Sequence, residues 1–268
     1  MNYIRLDWTE RGYFFDSTQL ASCSPRWRRW GEILTACRAG NFSSTPELLE
    51  LLQPRTEDVL SRACGVLLGD AGSSAAMQRV ASFVRTSFAS CQPFGLDNAL
   101  VITDALSTDG SLDFAGEILE AFEWNLAGED SAIIALHLSR MLEPRWDFIA
   151  ESPRDKREFG AYRELVLDRV AELKKNCGAT THMLMAAPAD PRTTARMLLD
   201  NLGSSDFEEA AQVQLRRRFE ATTGIDCSAF FTEGVFQPLT AAVILEEFLC
   251  SPVTYEAGAK YFFGHRVP

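Results

Sequence analysis

Basic residues are missing from one long stretch of this sequence. No lysine or arginine occurs between Arg85 and Arg140, and we call the 54 residues 86–139 the acidic window. Its nine carboxylates are Asp97, Asp104, Asp109, Asp113, Glu117, Glu120, Glu123, Glu129 and Asp130. The formal net charge of the whole chain is -11, so the window supplies most of it. Negative charge concentrated in this way creates an electrostatic field that repels nucleic acid and anionic membranes. The same field favours a basic protein surface as the partner.

Long apolar runs and an N-terminal targeting pattern are also lacking. No stretch approaches the roughly 20 apolar residues that are needed to span a bilayer. The first 15 residues have scattered charges and lack the basic start and apolar run of a signal peptide. Together these absences predict a cytoplasmic protein with neither a nucleic-acid nor a membrane partner.

The metal-ligating residues lack the spacing of a metal site. The seven cysteines are odd in number, widely spaced and without a CxxC pair, which predicts reduced thiols buried as small apolar residues. The three histidines, His137, His182 and His265, form no pair with metal-ligand spacing. His137 lies among apolar residues and is predicted to be a core or boundary histidine. The sequence therefore predicts no metal and no cofactor.

Catalytic motifs are absent as well. The sequence contains no GxSxG nucleophile motif and no phosphate-binding glycine loop. Adjacent carboxylates such as Glu246 and Glu247 point about 100° apart on a helix, so they predict a solvated face. The cluster Arg216-Arg217-Arg218 is interpreted as a solvated face or as counter-charge for the acidic window. No catalytic residue is predicted, and the chain is interpreted as a protein that is not an enzyme.

What the sequence does contain is helical periodicity. It predicts helices over 58–68, 74–88, 97–106, 114–126, 130–142, 163–175, 193–202, 207–222 and 238–249. Stop signals fall at residues 72, 110, 144, 178 and 203, and the first four are 34 to 38 residues apart. A period of this size with two helices per unit is typical of a helical-repeat solenoid. An all-α fold is therefore predicted, with an irregular all-α globule as the alternative to the solenoid.

The predicted organisation is a single domain over 1–268. It begins with a small aromatic segment at 1–30, which could form a β-hairpin or an irregular cap. Helical repeats follow over 45–250, and a C-terminal cap closes the chain over 251–268.

Two stretches resemble known HEAT-like proteins. Residues 60–72, LSRACGVLLGDAG, resemble the inner helix and turn of a HEAT-like repeat, in which small residues allow close helix contact. Residues 255–268, YEAGAKYFFGHRVP, resemble the closing segment of HEAT-like proteins encoded near bacterial toxin and type VI secretion systems. The resemblance implies a short HEAT-like solenoid and an immunity-type function. The alternative for the tail is a packed cap that shields the last repeat.

The acidic window contains the predicted binding face. Asp113, Glu117, Glu120 and Glu123 follow helical spacing, which predicts that they share the exposed side of one helix. Phe114, Ile118, Ala121 and Phe122 would then face the core. Trp124 would be an aromatic anchor if exposed. Asp97, Asp104 and Asp109 belong to the preceding helix and turn, and Glu129 and Asp130 would extend the patch. The alternative interpretation is that the carboxylates of the acidic window only keep the protein soluble.

These observations favour one function and leave two alternatives. The leading hypothesis is an immunity protein that neutralises a cognate basic toxin acting in the cytoplasm by covering its active-site cleft with an acidic surface. A nuclease or a nucleotide-modifying toxin fits best, because a cleft that binds phosphate is basic. The alternatives are a HEAT-like scaffold or adaptor without catalytic activity, and a HEAT-like lyase or other enzyme. The oligomeric state is left open.

Overall fold

The computed structural model describes residues 13–14, 24–52, 58–89, 96–128, 131–144, 153, 155–202 and 209–268. In this part of the chain the structure is mostly helical, with only short strand pairs, so the predicted all-α class is confirmed. The chain forms two compact units, one of Met1–Phe42 with Asp190–Val267 and the other of Ser43–Ala189 with Pro268. The single domain over 1–268 stays a prediction, and the N-terminal hairpin falls outside the described residues except for Tyr13 and Phe14.

Eleven α-helices lie within the described ranges. They are α1 (Pro25–Arg38), α2 (Leu48–Leu51), α3 (Asp58–Ala71), α4 (Ser74–Ala89), α5 (Leu96–Asp109), α6 (Ala115–Trp124), α7 (Ser131–Leu142), α8 (Lys156–Cys177), α9 (Pro191–Asn201), α10 (Glu209–Thr223) and α11 (Pro238–Cys250). Each predicted helix coincides with one of these. The largest difference is at α8, which begins seven residues before the predicted Arg163 because the Asp155 carboxylate accepts hydrogen bonds from the N–H groups of Arg157 and Glu158.

Alternate helices of the 43–189 unit pack against each other. Helix α3 packs on α5 and α5 on α7, while α4 packs on α6 and α6 on α8. The contact of α3 with α5 is close because Gly65 has no side chain. A Cβ at this position would lie 2.4 Å from Cγ1 of Val101. The small residues of 60–72 therefore do allow the close helix contact that the sequence predicted.

Helix α6 is held by its apolar side. Phe114, Ile118, Ala121 and Phe122 are buried, as predicted. The Phe122 ring meets the rings of Phe159 and Tyr162 on α8 edge to face, with centroids 5.6 and 5.5 Å away. Edge-to-face packing is a favoured arrangement of aromatic pairs, so this cluster fixes α6 against α8.

The other unit contains a buried ion pair. The Arg216 guanidinium lies 3.1 Å from the Glu220 carboxylate, and both side chains are almost fully buried. Glu220 also accepts hydrogen bonds from the backbone N–H of Tyr13 at 2.6 Å and of Cys227 at 3.3 Å. Burial raises the pKa of Glu220, and Arg216 and the two N–H groups oppose that rise. The solvated-face interpretation of Arg216 is therefore wrong, and its counter-charge lies outside the acidic window.

The strands form three very short antiparallel hairpins that the sequence analysis did not predict. They are β1 (Met183–Leu184) with β2 (Ala187–Pro188), β3 (Phe231–Thr232) with β4 (Val235–Phe236), and β5 (Tyr261–Phe262) with β6 (His265–Arg266). Each turn has two residues, both with positive φ: Met185 and Ala186, Glu233 and Gly234, and Phe263 and Gly264. This is the type I′ geometry that matches the natural twist of paired strands.

Two of these turns cap helix ends. The N–H groups of Met185 and Ala186 donate to the carbonyls of Arg140 and Met141 near the end of α7, at 2.9 and 3.1 Å. In the tail, the N–H groups of Phe263 and Gly264 donate to two carbonyls, those of residues 221 and 222, near the end of α10 at 2.6 and 2.8 Å. The last carbonyls of a helix have no partner within it, so each turn satisfies two of them.

The cysteines and the helix lengths bear on two other expectations. Cys37, Cys64 and Cys227 are buried as predicted, whereas Cys250 is exposed. Burial raises the pKa of the Cys37 thiol to about 12, which keeps that thiol protonated. Within the described ranges, no helix is both long enough and apolar enough to cross a membrane.

Candidate functional site

Cations from outside the acidic window neutralise much of it. Arg85 and Arg140, the two residues that border the window, both contact its carboxylates. The Arg85 guanidinium pairs with Glu117. Arg140 Nη1 lies 2.6 Å from Asp104 Oδ1. The charge that is segregated along the sequence is therefore partly balanced in the folded protein.

Three more carboxylates of the window have partners farther along the chain. Asp113 meets Lys174 Nζ of α8 at 2.6 Å. Glu123 lies 4.0 Å from Arg163, also on α8. Asp109 is buried, and its carboxylate lies 3.4 Å from the His182 ring.

His137 has the structural position that the sequence predicted. It is 5% exposed, and its Nδ1 lies 2.9 Å from the Thr103 hydroxyl. Its Nε2 lies 3.8 Å from Asp104. These contacts are those of a core histidine between helices α5 and α7.

The predicted exposed face is only partly exposed. Asp113 is exposed, but Glu117 is 7% exposed, so the prediction that Glu117 faces solvent is wrong. Glu120, Glu123 and Trp124 are half-buried. Asp97 lies in α5 with its side chain outside the description, and Glu129 and Asp130 lie outside the described residues. Partner binding by this set stays a prediction.

Helix geometry explains the different burial of the three glutamates of α6. Glu117, Glu120 and Glu123 form what we call the glutamate row. Successive members rise by about 4.5 Å and turn by about 60° around the axis. The row therefore crosses α6 obliquely, from the side of α4, where Arg85 pairs with Glu117, to the side of α8, where Arg163 approaches Glu123.

Glu120 lies at the middle of the row, between the two neutralised ends. Its Oε2 atom is buried and accepts no hydrogen bond from the described residues. Burial and the neighbouring Glu117 raise its pKa, with a smaller contribution from Glu123, while Arg163 and Arg85 oppose the rise. The fold therefore holds a carboxylate in a position where its ionised form is disfavoured.

Comparison with known proteins gave no relative. No family model, no curated protein and no solved structure matches the chain.

The chemistry of the glutamate row follows from its geometry. A half-buried glutamate whose ionised form is disfavoured is suited to lie beside an arginine or lysine side chain, because a nearby cation would stabilise the carboxylate. In the part of the chain that the structure describes, no group of three or more His, Cys, Asp or Glu residues is arranged to hold a metal ion. Sequence reasoning identified Glu120 but missed Arg85 and Arg163, although Arg85 borders the window.

Proposed function

We propose that this chain is a non-enzymatic inhibitor that binds a basic protein through the glutamate row. The observation that carries the proposal is the state of Glu120, whose buried oxygen lacks a donor among the described residues and whose pKa is raised. Such a group destabilises the free protein and becomes favourable when a cation arrives. A partner arginine beside the half-buried Glu120 would be recognised by its charge.

The partner in this proposal is a cognate bacterial toxin of the immunity type. The formal net charge of -11 suits a toxin whose active-site cleft is basic, such as a nuclease or a nucleotide-modifying enzyme. The resemblance of 255–268 to the closing segment of immunity-type HEAT-like proteins supports the same partner. The inhibitor would cover the cleft by presenting charge of the substrate's sign.

The repeat architecture is also part of the proposal. The packing of α3 on α5 and of α5 on α7, together with that of α4 on α6 and of α6 on α8, supports three stacked helix pairs of the HEAT-like kind. In such a solenoid the glutamate row would lie on the layer of second helices. The same layers would suit a scaffold or adaptor, which differs from an inhibitor by binding several partners at substoichiometric ratios.

Reversing the charge of Glu120 tests the proposal. A tagged full-length chain is used to capture proteins from its host lysate in low salt. We expect one basic protein at equal stoichiometry, and we expect Glu120→Lys to slow its association by about 10- to 100-fold at low salt. Glu32→Lys on α1 is the matched control, because it makes the same change in net charge at an exposed position.

The captured protein must also behave as a toxin. Expressed alone it should arrest growth, and co-expression with the wild-type chain, but not with Glu120→Lys, should restore growth. Capture that is equally strong for Glu120→Lys, or a captured protein that does not affect growth, would reject the proposal. Several weak partners would favour the scaffold.

Neutralising the same residue should stabilise the free protein. Glu120→Gln removes a half-buried negative charge and its repulsion by Glu117 and Glu123, so the free energy of unfolding at neutral pH should rise by about 0.5–1 kcal/mol. Because the folded-state pKa of Glu120 is raised, the penalty in the wild type is complete above that pKa. This penalty disappears as the pH falls below the pKa that Glu120 has in the unfolded state. Urea titrations of both proteins at several pH values measure this difference, and a gain that does not depend on pH would contradict the assignment.

A further inference from the structure

The turn of hairpin β3–β4 differs from the other two turns because it meets no helix end within the described ranges. The Met185–Ala186 and Phe263–Gly264 turns each donate two backbone N–H groups to the last carbonyls of a helix. Glu233 and Gly234 have the same pair of positive φ values, 52° and 78°. Both are exposed, and among the described residues their N–H groups meet no helix carbonyl. A Cβ placed on Gly234 would have nothing within 4 Å.

Helix α11, which follows this hairpin directly, is apolar on two sides and buried on one. Ala241, Leu245 and Phe248 are buried, and α11 packs on α9. On the roughly opposite side, Leu239 is 83% exposed and Val243 is 63% exposed. A helix that is apolar on both sides normally has both sides covered.

The exposed side continues beyond the two apolar residues of α11. Leu239 and Val243 are four residues apart and lie one above the other. Val235 on β4 is 62% exposed and is four residues before Leu239, within about 14 Å along the chain. Exposed apolar residues that adjoin one another in this way are typical of protein interaction sites.

Carboxylates lie at both ends of this apolar surface. Glu233 is in the turn at one end, and Glu246 and Glu247 are on α11 toward the other. All three are exposed, and none has an ion-pair partner among the described residues. The sequence has no lysine or arginine from residue 219 to residue 259. Arg192 of α9 donates to the carbonyls of Ser251 and Val253 beyond the end of α11 rather than to these carboxylates.

We propose that the docking face, formed by the Glu233–Gly234 turn, Leu239, Val243, Glu246 and Glu247, binds the C-terminal end of a basic amphipathic helix from a partner protein. The turn would donate its two N–H groups to the last carbonyls of that helix, as the other two turns do within this chain. Leu239 and Val243 would cover its apolar side. Glu233 would meet cations in its last turn, where the helix dipole favours them.

The charges decide between this occupant and a second copy of the same chain. A second copy that used the same face would bring its own Glu233, Glu246 and Glu247 toward these carboxylates. Like charges at an interface oppose association, whereas a lysine-rich helix complements them. The face belongs to the unit that contains α9 to α11, so the proposal does not depend on the glutamate row of α6.

A designed peptide tests the docking face on the full-length chain. The probe is an acetylated helix of about 18 residues, or five turns, with leucines at spacings of three and four and lysines in its last two turns. Binding is followed by calorimetry, and hydrogen exchange of the Glu233 and Gly234 amides is measured with and without the peptide. We expect both amides to become protected. A scrambled peptide of the same composition should bind at least about tenfold more weakly.

Protein variants then assign the binding to the face. The double variant Leu239→Ser, Val243→Ser should bind the peptide at least about tenfold more weakly than the wild type. Glu233→Lys should have the same effect. Both changes are at exposed positions, so the melting temperature should not change. Leu165→Ser on α8 is the control, because Leu165 is a 44% exposed leucine in the other unit and its replacement should leave binding intact.

Three outcomes would overturn the proposal. One is equal binding of the peptide by the Leu239→Ser, Val243→Ser variant. Another is binding that leaves the two turn amides unprotected, because the helix end would then lie elsewhere. The third is concentration-dependent self-association of the chain in sedimentation that the same double variant abolishes, which would assign the face to a second copy.

Discussion

Replacing Glu220 with alanine should lower the free energy of unfolding by about 3–5 kcal/mol. The change leaves the Arg216 guanidinium buried without its carboxylate, and it removes the acceptor of the Tyr13 and Cys227 N–H groups. Removing one partner of a buried ion pair is among the more destabilising changes that a protein can undergo. Urea unfolding followed by tryptophan fluorescence measures the loss, because Trp30 is buried in the same unit.

Two further variants separate the ion pair from the hydrogen bonds. Arg216→Met with Glu220→Leu replaces both charges by apolar groups, and it should recover part of the lost stability. Recovery should be incomplete, because the two N–H groups still lack an acceptor at a cost of about 1–3 kcal/mol each. Glu246→Ala, at an exposed position, should change stability by less than about 0.5 kcal/mol. If Glu220→Ala lowers the free energy of unfolding as little as Glu246→Ala does, the assignment of Arg216 and Glu220 as a buried ion pair is contradicted.

The second large effect is expected at Phe122. Replacing Phe122 with alanine should lower the free energy of unfolding by about 3–5 kcal/mol. Its ring is fully buried between Phe159 and Tyr162, so removing it opens a cavity between α6 and α8. Since α6 carries the glutamate row and α8 carries Arg163, the site should lose its geometry together with the stability. Hydrogen exchange of the α6 amides in native conditions measures the local loss.

Graded replacements at two phenylalanines check this assignment. Phe122→Leu keeps most of the apolar volume and should cost roughly half as much as Phe122→Ala. Phe83→Ala on α4 is the comparison, because Phe83 is 39% exposed and leaves a smaller cavity. If Phe83→Ala costs as much as Phe122→Ala, the aromatic cluster is not what holds α6 to α8.

The helices could be predicted from the sequence because their signals are local. Apolar spacing and stop signals depend on residues within one or two turns, and they located α3 to α11 to within a few residues at most ends. The hairpins could not be predicted in this way. Their strands are two residues long, and the Met185–Ala186 turn contains no glycine or asparagine to indicate positive φ. This turn is stabilised by hydrogen bonds to the end of α7, about 45 residues earlier, which no local pattern reveals.

The site was predictable in composition but not in exposure. The charge of the acidic window is visible in the sequence, and so is the helical spacing of Glu117, Glu120 and Glu123. Their different burial depends on how α6 packs against α4 and α8, the helices that carry Arg85 and Arg163. Lys174, 61 residues from its partner Asp113, is a similar case. Ion pairs between distant segments depend on tertiary packing, so a patch of one sign in the sequence does not establish a patch of one sign on the surface.

The division of the chain into its two units has a consequence for the order of events on the ribosome. The unit of Ser43–Ala189 is almost entirely one continuous segment, whereas the other unit joins residues from both sides of it. Helix α1, with its buried tryptophans Trp27 and Trp30, is synthesised well before the tail, whose Phe263 ring centroid lies 5.1 Å from the Arg38 guanidinium at the end of α1. At about 5–20 residues per second, α1 waits roughly 10–45 s for this contact. Closing the intervening segment costs about 4 kcal/mol of chain entropy, which folding of the 43–189 unit first would reduce. Aggregation of nascent chains should therefore begin at α1.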